Sequence, residues 1–179
     1  MMILIYGGSG SGKSVYAEEL ACQLEKGEIC YLATMSAQDP ESEDRIREHR
    51  FRRHDARFVT RERYLDLLNM ELPKQKTVLL ECLSNLTANE LFRRDGTQGK
   101  TLRAVLKGVR RLRMHSEHLV VVSNQIFSDG KVYDYSTQQY MQSLATLNEF
   151  LAREADAVIE VVCGIPILQK GALPKSCAL

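Results

Sequence analysis

The sequence predicts an α/β fold with a mostly parallel central sheet flanked by helices. Three observations carry this. Short apolar runs alternate with longer polar or amphipathic stretches along the 179 residues, the pattern of β-α-β units whose strands are buried on both faces. A glycine-rich stretch follows the first apolar run and opens a helical pattern, which makes the fold P-loop NTPase-like. No repeat, low-complexity segment or long linker divides the chain, so residues 1–179 read as a single nucleotide-binding domain.

The elements follow in order. Met2–Tyr6, Ile29–Thr34, Val78–Glu81, Leu119–Ser123 and Ala157–Cys163 are short apolar runs and read as buried strands. Ile165–Gln169 adds an edge strand beyond Gly164. Between them Ser14–Leu24, Pro40–Arg53, Ala88–Arg94, Thr101–Ser116 and Tyr135–Glu154 read as helices. Asp39-Pro40-Glu41 supplies a capping acid, a proline at the first helical position and a carboxylate near the positive dipole end. Gly96 and Gly99 bracket an exposed loop.

The sharpest chemical signal is Gly7-Gly8-Ser9-Gly10-Ser11-Gly12-Lys13-Ser14, which matches G-x-x-x-x-G-K-[ST] without insertion. Glycines let the backbone curl so that successive N–H groups converge on phosphate oxygens. The helix that follows adds its N-terminal partial charge. Lys13 is expected to reach the β- and γ-phosphates of ATP or GTP, and the Ser14 hydroxyl to hold Mg²⁺. In an open α/β sheet, ligands gather at the carboxyl ends of the strands. Glu81 ends an apolar run there, as a metal-holding or hydroxyl-activating acid does; the plainer reading is a carboxylate that caps the next helix.

Composition narrows the field. Apolar residues make up 44% and charged residues 26%, which excludes disordered, collagenous and coiled-coil classes. With 24 basic and 23 acidic side chains the formal charge is +1, which speaks against a protein that wraps long nucleic acid. No apolar run reaches the length of a signal peptide or membrane span. Five cysteines form an odd set without a C-x-x-C pair, and no Cys/His cluster suggests zinc. A reducing cytoplasm is the expected compartment.

Residues 45–63 hold eight arginines against three acids, preceded by Asp39, Glu41, Glu43 and Asp44. Acids leading and bases trailing suits a solvated helix matched to its own dipole. The same arginines suit a second polyanion, because a forked guanidinium grips phosphate in pairs. Nucleic acid is disfavoured, since Phe51 and Phe58 are the aromatic residues available there for base stacking. His49 stands on this stretch with Arg50 and Arg53 at neighbouring helical positions, either as an exposed surface histidine or as a catalytic one. His54, His115 and His118 read as structural or surface residues.

These motifs together resemble one family. GGSGSGKS-x-x-AEE, then YLATM, then D-x-E-x-x-x-RI-x-x-H-x-x-x-R are followed in order by LLECLSNLTAN, VVVSN, LNEFLAREAD and Gly164-Ile165-Pro166. The chain resembles, over nearly its whole length, the bifunctional adenosylcobinamide kinase/adenosylcobinamide-phosphate guanylyltransferase family. The resemblance implies phosphorylation of a corrinoid hydroxyl by a nucleoside triphosphate, then transfer of GMP from GTP through a guanylylated histidine. It makes His49 that nucleophile, sets Arg50 and Arg53 on the transferring phosphates, and counts Phe51 and Arg52 with them among the nucleotide-binding residues. Ala33, Thr34 and Met35, together with Glu62, fall in stretches the family uses around the guanine nucleotide. A trimer is implied in the same way. Two stretches differ from the family pattern. Asn124-Gln125-Ile126-Phe127 stands where asparagine, glutamate, valine and glycine are usual, and Met141-Gln142 replaces an Arg-Asp pair upstream of Asn148. Two other functions fit the residues: a P-loop small-molecule kinase without nucleotidyl transfer, and a nucleotide-regulated binding module that uses the arginine-rich helix.

Overall fold

Strand β1, Met2–Gly7, shows how the sheet is buried on two sides. Its alternation sends Ile3 and Ile5 to one face and Met2 and Leu4 to the other, and each joins a different apolar cluster. The computed structural model describes residues 1–36, 47, 57–127, 130–175 and 177, with the backbone alone at Gln98. Within them the chain runs β1, α1 (Lys13–Leu24), β2 (Ile29–Ala33), β3 (Phe58–Glu62), β4 (Thr77–Glu81) and α2 (Leu83–Phe92). A 3₁₀ turn at Gln98–Lys100 leads into α3 (Thr101–His115), β5 (His118–Asn124), α4 (Tyr135–Glu154), β6 (Ala157–Val162) and β7 (Ile165–Gly171).

The seven strands form one sheet in the order β3-β2-β4-β5-β1-β6-β7. All neighbours are parallel except β6 and β7, which pair antiparallel. Helix α1 covers one face through Ala17, Leu20 and Ala21. The opposite face is covered by Leu83 and Leu86 of α2, Val105, Val109 and Leu112 of α3, and Leu144, Leu147 and Leu151 of α4. The three residues of α3 recur at helical spacing on one stripe, and burying each stabilises by about 1.5–3 kcal/mol. Gly108 lies on the same helix, where a Cβ would come within 2.5 Å of Leu67 Cβ. Helix α4 starts where Asp134 Oδ1 accepts hydrogen bonds from the backbone N–H of Ser136 and Thr137, at 2.9 and 3.0 Å. No described helix is long and apolar enough to cross a membrane.

The expected α/β class is therefore observed, and α4 has the boundaries read from the sequence. Two expectations change. The helix expected over Ala88–Arg94 runs from Leu83 to Phe92, with Cys82 at its N-cap and no side-chain cap to announce the start. Strand β3 was not foreseen, because Phe58–Glu62 is half exposed at the sheet edge and contains no buried residue. The helix expected over Pro40–Arg53 lies outside the described residues apart from Arg47, which is helical and exposed.

Candidate functional site

The glycine-rich stretch folds as a loop from the end of β1 into the first turn of α1. Gly12 caps α1 with φ 89°, and Gly10 has φ 69°, left-handed conformations that a side chain would strain. At Gly7 a Cβ would come within 2.5 Å of the Val161 carbonyl oxygen and 2.7 Å of Ser11 Oγ. The backbone is thus pinned from below. It is also pinned from the side, where the Gly164 N–H in the β6–β7 turn donates to the Ser11 carbonyl at 2.8 Å.

No side chain caps the N-terminus of α1, and its first turn carries no acid. Backbone N–H groups at such an end are donors in search of an anion. Lys13 is buried there at 8% exposure, and its ammonium folds back onto the Gly8 carbonyl oxygen at 3.1 Å. Ser11 Oγ is buried with no hydrogen-bond partner among the described residues. A glycine loop with left-handed turns, an uncapped positive helix end and a lysine folded over the loop together fit a polyphosphate.

Across the sheet edge, Ser14 Oγ donates to Glu81 Oε1 at 2.9 Å. Ser14 lies in the first turn of α1 and Glu81 ends β4; β5 lies between β4 and β1. The pair is a hydroxyl and a carboxylate beside the phosphate cradle, which is the hard oxygen set that Mg²⁺ takes together with substrate phosphates. No group of three His, Cys, Asp or Glu able to hold a metal occurs among the described residues. The donor set therefore fits a nucleotide-borne magnesium ion rather than a site built wholly from protein.

Register aligns further sequence-predicted residues. Ala33 at the end of β2 is paired with Glu81 on one side and Glu62 on the other. Glu62 is exposed and accepts a hydrogen bond from Tyr64 Oη at 2.6 Å. Thr34 is fully buried; its hydroxyl donates to the Cys82 carbonyl and accepts from the Cys82 N–H, both at 2.7 Å. Its side chain is therefore turned into the protein, and Asn89 Nδ2 ties its carbonyl to that of Tyr64. Met35 follows, partly exposed.

His49, Arg50, Phe51, Arg52 and Arg53 lie outside the described residues. The chain leaves β2 at the edge that carries the phosphate loop and re-enters before β3, where Arg57 donates to the carbonyls of Cys22 and Glu25 at the end of α1.

A polar network behind Glu81 escaped the sequence reading. Ser84 Oγ lies 2.9 Å from Cys82 Sγ and accepts from Asn124 Nδ2 at 2.6 Å. Asn148 Nδ2 donates to the Asn124 carbonyl at 3.3 Å, and Ser123 Oγ to Asn148 Oδ1 at 2.6 Å. Burial, with help from the Glu81 charge, pushes the Cys82 thiol up, so it is a poor nucleophile. Tyr140 is pushed up to about 12, first by burial and then by Cys82, against a hydrogen bond with Ser84 that opposes the shift. The polar residues that end the apolar run of β5, Ser123-Asn124, were the available signal.

Comparison with known proteins bears on the whole arrangement. A family model described as cobinamide kinase / cobinamide phosphate guanyltransferase matches residues 3–168. The bifunctional adenosylcobalamin biosynthesis protein CobU of Escherichia coli (strain K12) is 30% identical over 181 residues, spanning 93% of this chain and 98% of that one. The bifunctional adenosylcobalamin biosynthesis protein CobP of Pseudomonas aeruginosa is 32% identical over 181 residues, spanning 96% and 98%. Among solved structures, a KaiC-like protein from Pyrococcus horikoshii OT3 matches with a TM-score of 0.48 and 14% identity, over 89% of this chain and 69% of that one. At that distance the structural likeness carries no argument of its own.

Proposed function

The chain belongs to the cobinamide kinase / cobinamide phosphate guanylyltransferase family, and from that premise we propose how its residues divide the work. It is a transferase of cobalamin biosynthesis with kinase and guanylyltransferase activities. The observation that carries our assignment of roles is the uncapped glycine loop with Ser14 and Glu81 2.9 Å apart at its rim.

In the first transfer the loop N–H groups and Lys13 hold the β- and γ-phosphates of ATP or GTP. The hydroxyl oxygen of adenosylcobinamide attacks the γ-phosphorus, the bond to the β-phosphate oxygen breaks, and the hydroxyl proton is released to water. Lys13 neutralises charge that builds on the leaving diphosphate. Ser14 and Glu81 would hold Mg²⁺, which when bound withdraws charge from the same phosphates. Thr34, locked to Cys82, keeps the ends of β2 and β4 in register and so holds Glu81 in place.

In the second transfer a neutral imidazole nitrogen of His49 attacks the α-phosphorus of GTP and pyrophosphate leaves. The corrinoid phosphate oxygen then attacks the same phosphorus and the histidine departs. A covalent step of this kind splits one difficult displacement into two easier ones. Arg50, Arg52 and Arg53 supply the positive charge the transferring phosphates need, with Phe51, Ala33, Met35 and Glu62 around the guanosine. We place the activity in the cytoplasm, in a homotrimer, on the family resemblance.

The test is labelling. Wild type and His49→Ala are incubated with Mg²⁺ and α-phosphate-labelled GTP, then denatured. Acid-labile, base-stable label on wild type alone supports the guanylyl-histidine. Label on neither protein, with GTP demonstrably bound, removes the nucleotidyl step and leaves a P-loop kinase.

A further inference from the structure

Phosphoryl transfer sets the acceptor oxygen and the departing β-phosphate oxygen on opposite sides of the γ-phosphorus. On the function proposed above, the loop between β1 and α1 holds the β-phosphate, with Glu81 across from it at the end of β4. β4 lies two places from β1 in the sheet, and α2 starts at Leu83, two residues after Glu81. The acceptor hydroxyl therefore approaches from the side of β4 and α2, away from the loop.

Beyond α2 a groove of about 460 Å³ lies between the α2–α3 junction and α4, a size in the range of small-molecule sites. Leu91 and Leu102 supply its apolar part, Gln139, Gln142 and Ser143 a polar wall on α4, and Lys100 and Arg103 its charge. The α4 wall is separate from the stripe of Leu144, Leu147 and Leu151 that the core uses. The side chains of Gln142, Ser143 and Arg103 make no hydrogen bond among the described residues. Tyr140 links this groove to the site. It follows Gln139 in α4, hydrogen-bonds Ser84 near the start of α2, and its ring centroid lies 6.3 Å from that of Phe92. Phe92 follows Leu91 and is 52% exposed, an apolar surface next to the groove.

The nucleotide is anchored by the loop, which leaves the corrinoid to be held elsewhere. A corrinoid is a macrocycle with apolar faces, a rim of carboxamides and, in cobinamide, a hydroxyl at the end of an amide-linked arm. A carboxamide is met in both its roles, donor and acceptor, by a glutamine side chain, and at its carbonyl by a hydroxyl, ammonium or guanidinium. Apolar faces suit leucine and an exposed aromatic ring. We infer that this groove seats the corrinoid. One edge of the macrocycle enters between α3 and α4, with Gln139, Gln142 and Ser143 on its carboxamides and Phe92 against a ring face. The arm then reaches past Tyr140 toward Glu81. The inference rests on the cobinamide kinase reading and adds to it the surface that takes the acceptor.

Adenosylcobinamide and ATP are varied separately in kinase assays of wild type, Gln142→Ala and Ser143→Trp. Equilibrium dialysis of adenosylcobinamide, read from its visible absorption, gives Kd without turnover. Ser143→Trp fills the groove and should raise both KM and Kd for the corrinoid about tenfold or more, while Gln142→Ala removes one amide and should raise them about three- to tenfold. KM for ATP should stay within about twofold of wild type in both. Corrinoid constants unchanged in both variants, or KM for ATP rising in step with them, overturn the inference. If Ser143→Trp does not fold, Gln142→Ala decides. Wild type that binds the corrinoid without phosphorylating it would count against the proposed function and leave the groove to be judged by dialysis. Wild type and variants that phosphorylate it alike would count against the groove alone.

Discussion

Ser14 and Glu81, 67 residues apart in the chain, meet through a 2.9 Å hydrogen bond between a hydroxyl and a carboxylate at the rim of the phosphate loop. Without a metal they are hydrogen-bonded to each other, and on the proposed function each would hold magnesium when the nucleotide brings it. Ser14→Ala should therefore raise the Mg²⁺ concentration needed for half-maximal phosphoryl transfer. Glu81→Gln should do the same and lower the plateau rate by about 10²-fold or more, the scale for removing a group that organises transition-state charge. Rates measured across a Mg²⁺ series check both; unchanged half-saturation in both variants would remove the metal assignment.

Lys13→Ala should cost nucleotide affinity and both transfers together. The ammonium is held against the Gly8 carbonyl, and on the proposed function it serves the loop's ligand rather than the core. Both activities should fall by about 10²–10³-fold, with the unfolding midpoint nearly unchanged. Retention of either activity near wild-type level would mean that this transfer does not use the loop.

Glu90 tests the scaffold apart from the chemistry. It is 2% exposed and accepts from the Asp66 N–H at 2.7 Å, the Thr97 N–H at 3.1 Å and the Thr97 hydroxyl at 2.8 Å. Glu90→Ala removes all three hydrogen bonds and leaves their donors without these acceptors. The expected loss is roughly 2–4 kcal/mol, or roughly 5–15 °C in thermal midpoint for a chain of this size. Thermal and urea denaturation give the value.

Cysteine alkylation offers a pH-resolved test of the core. Burial pushes the Cys30 thiol up to about 11, and burial with the Glu81 charge raises Cys82. The thiolate is the reactive form, so a raised pKa shifts the onset of alkylation to higher pH. Native protein at pH 8 should take iodoacetamide at the exposed Cys163 well before Cys30 or Cys82. Peptide mapping at pH 8 and pH 10 reads the order; early labelling of Cys30 would show that β2 is less enclosed than described.

Much of the fold could be read from the chain because most of its strands are apolar on both faces and the stretches between them carry helical patterns. Helix α4 is the clearest instance, with an apolar stripe ending at Leu151. Strand β3 was illegible for the opposite reason. At an edge, Phe58–Glu62 needs backbone pairing with β2 and little burial, so its side chains alternate without an apolar run. The start of α2 was missed because Cys82 offers no capping side chain. In the site, the loop and Glu81 were legible as local motifs. The Ser84–Asn124–Asn148 network was not, since its hydrogen bonds span 24 and 40 residues and exist only once β5 lies beside β4.

The bond from the Gly164 N–H to the Ser11 carbonyl has a consequence for the order of biosynthesis. A nascent chain carries the entire glycine motif as soon as residue 14 has been made. It lacks the β6–β7 turn that braces the motif until residue 164 has emerged, some 150 residues later. β6, which pairs with β1 and contributes the Val161 carbonyl beneath Gly7, arrives equally late. Competence to hold a nucleotide should therefore wait until β6 and the β6–β7 turn have been made, and a ribosome-bound fragment that ends before β6 should expose the motif without gripping its ligand.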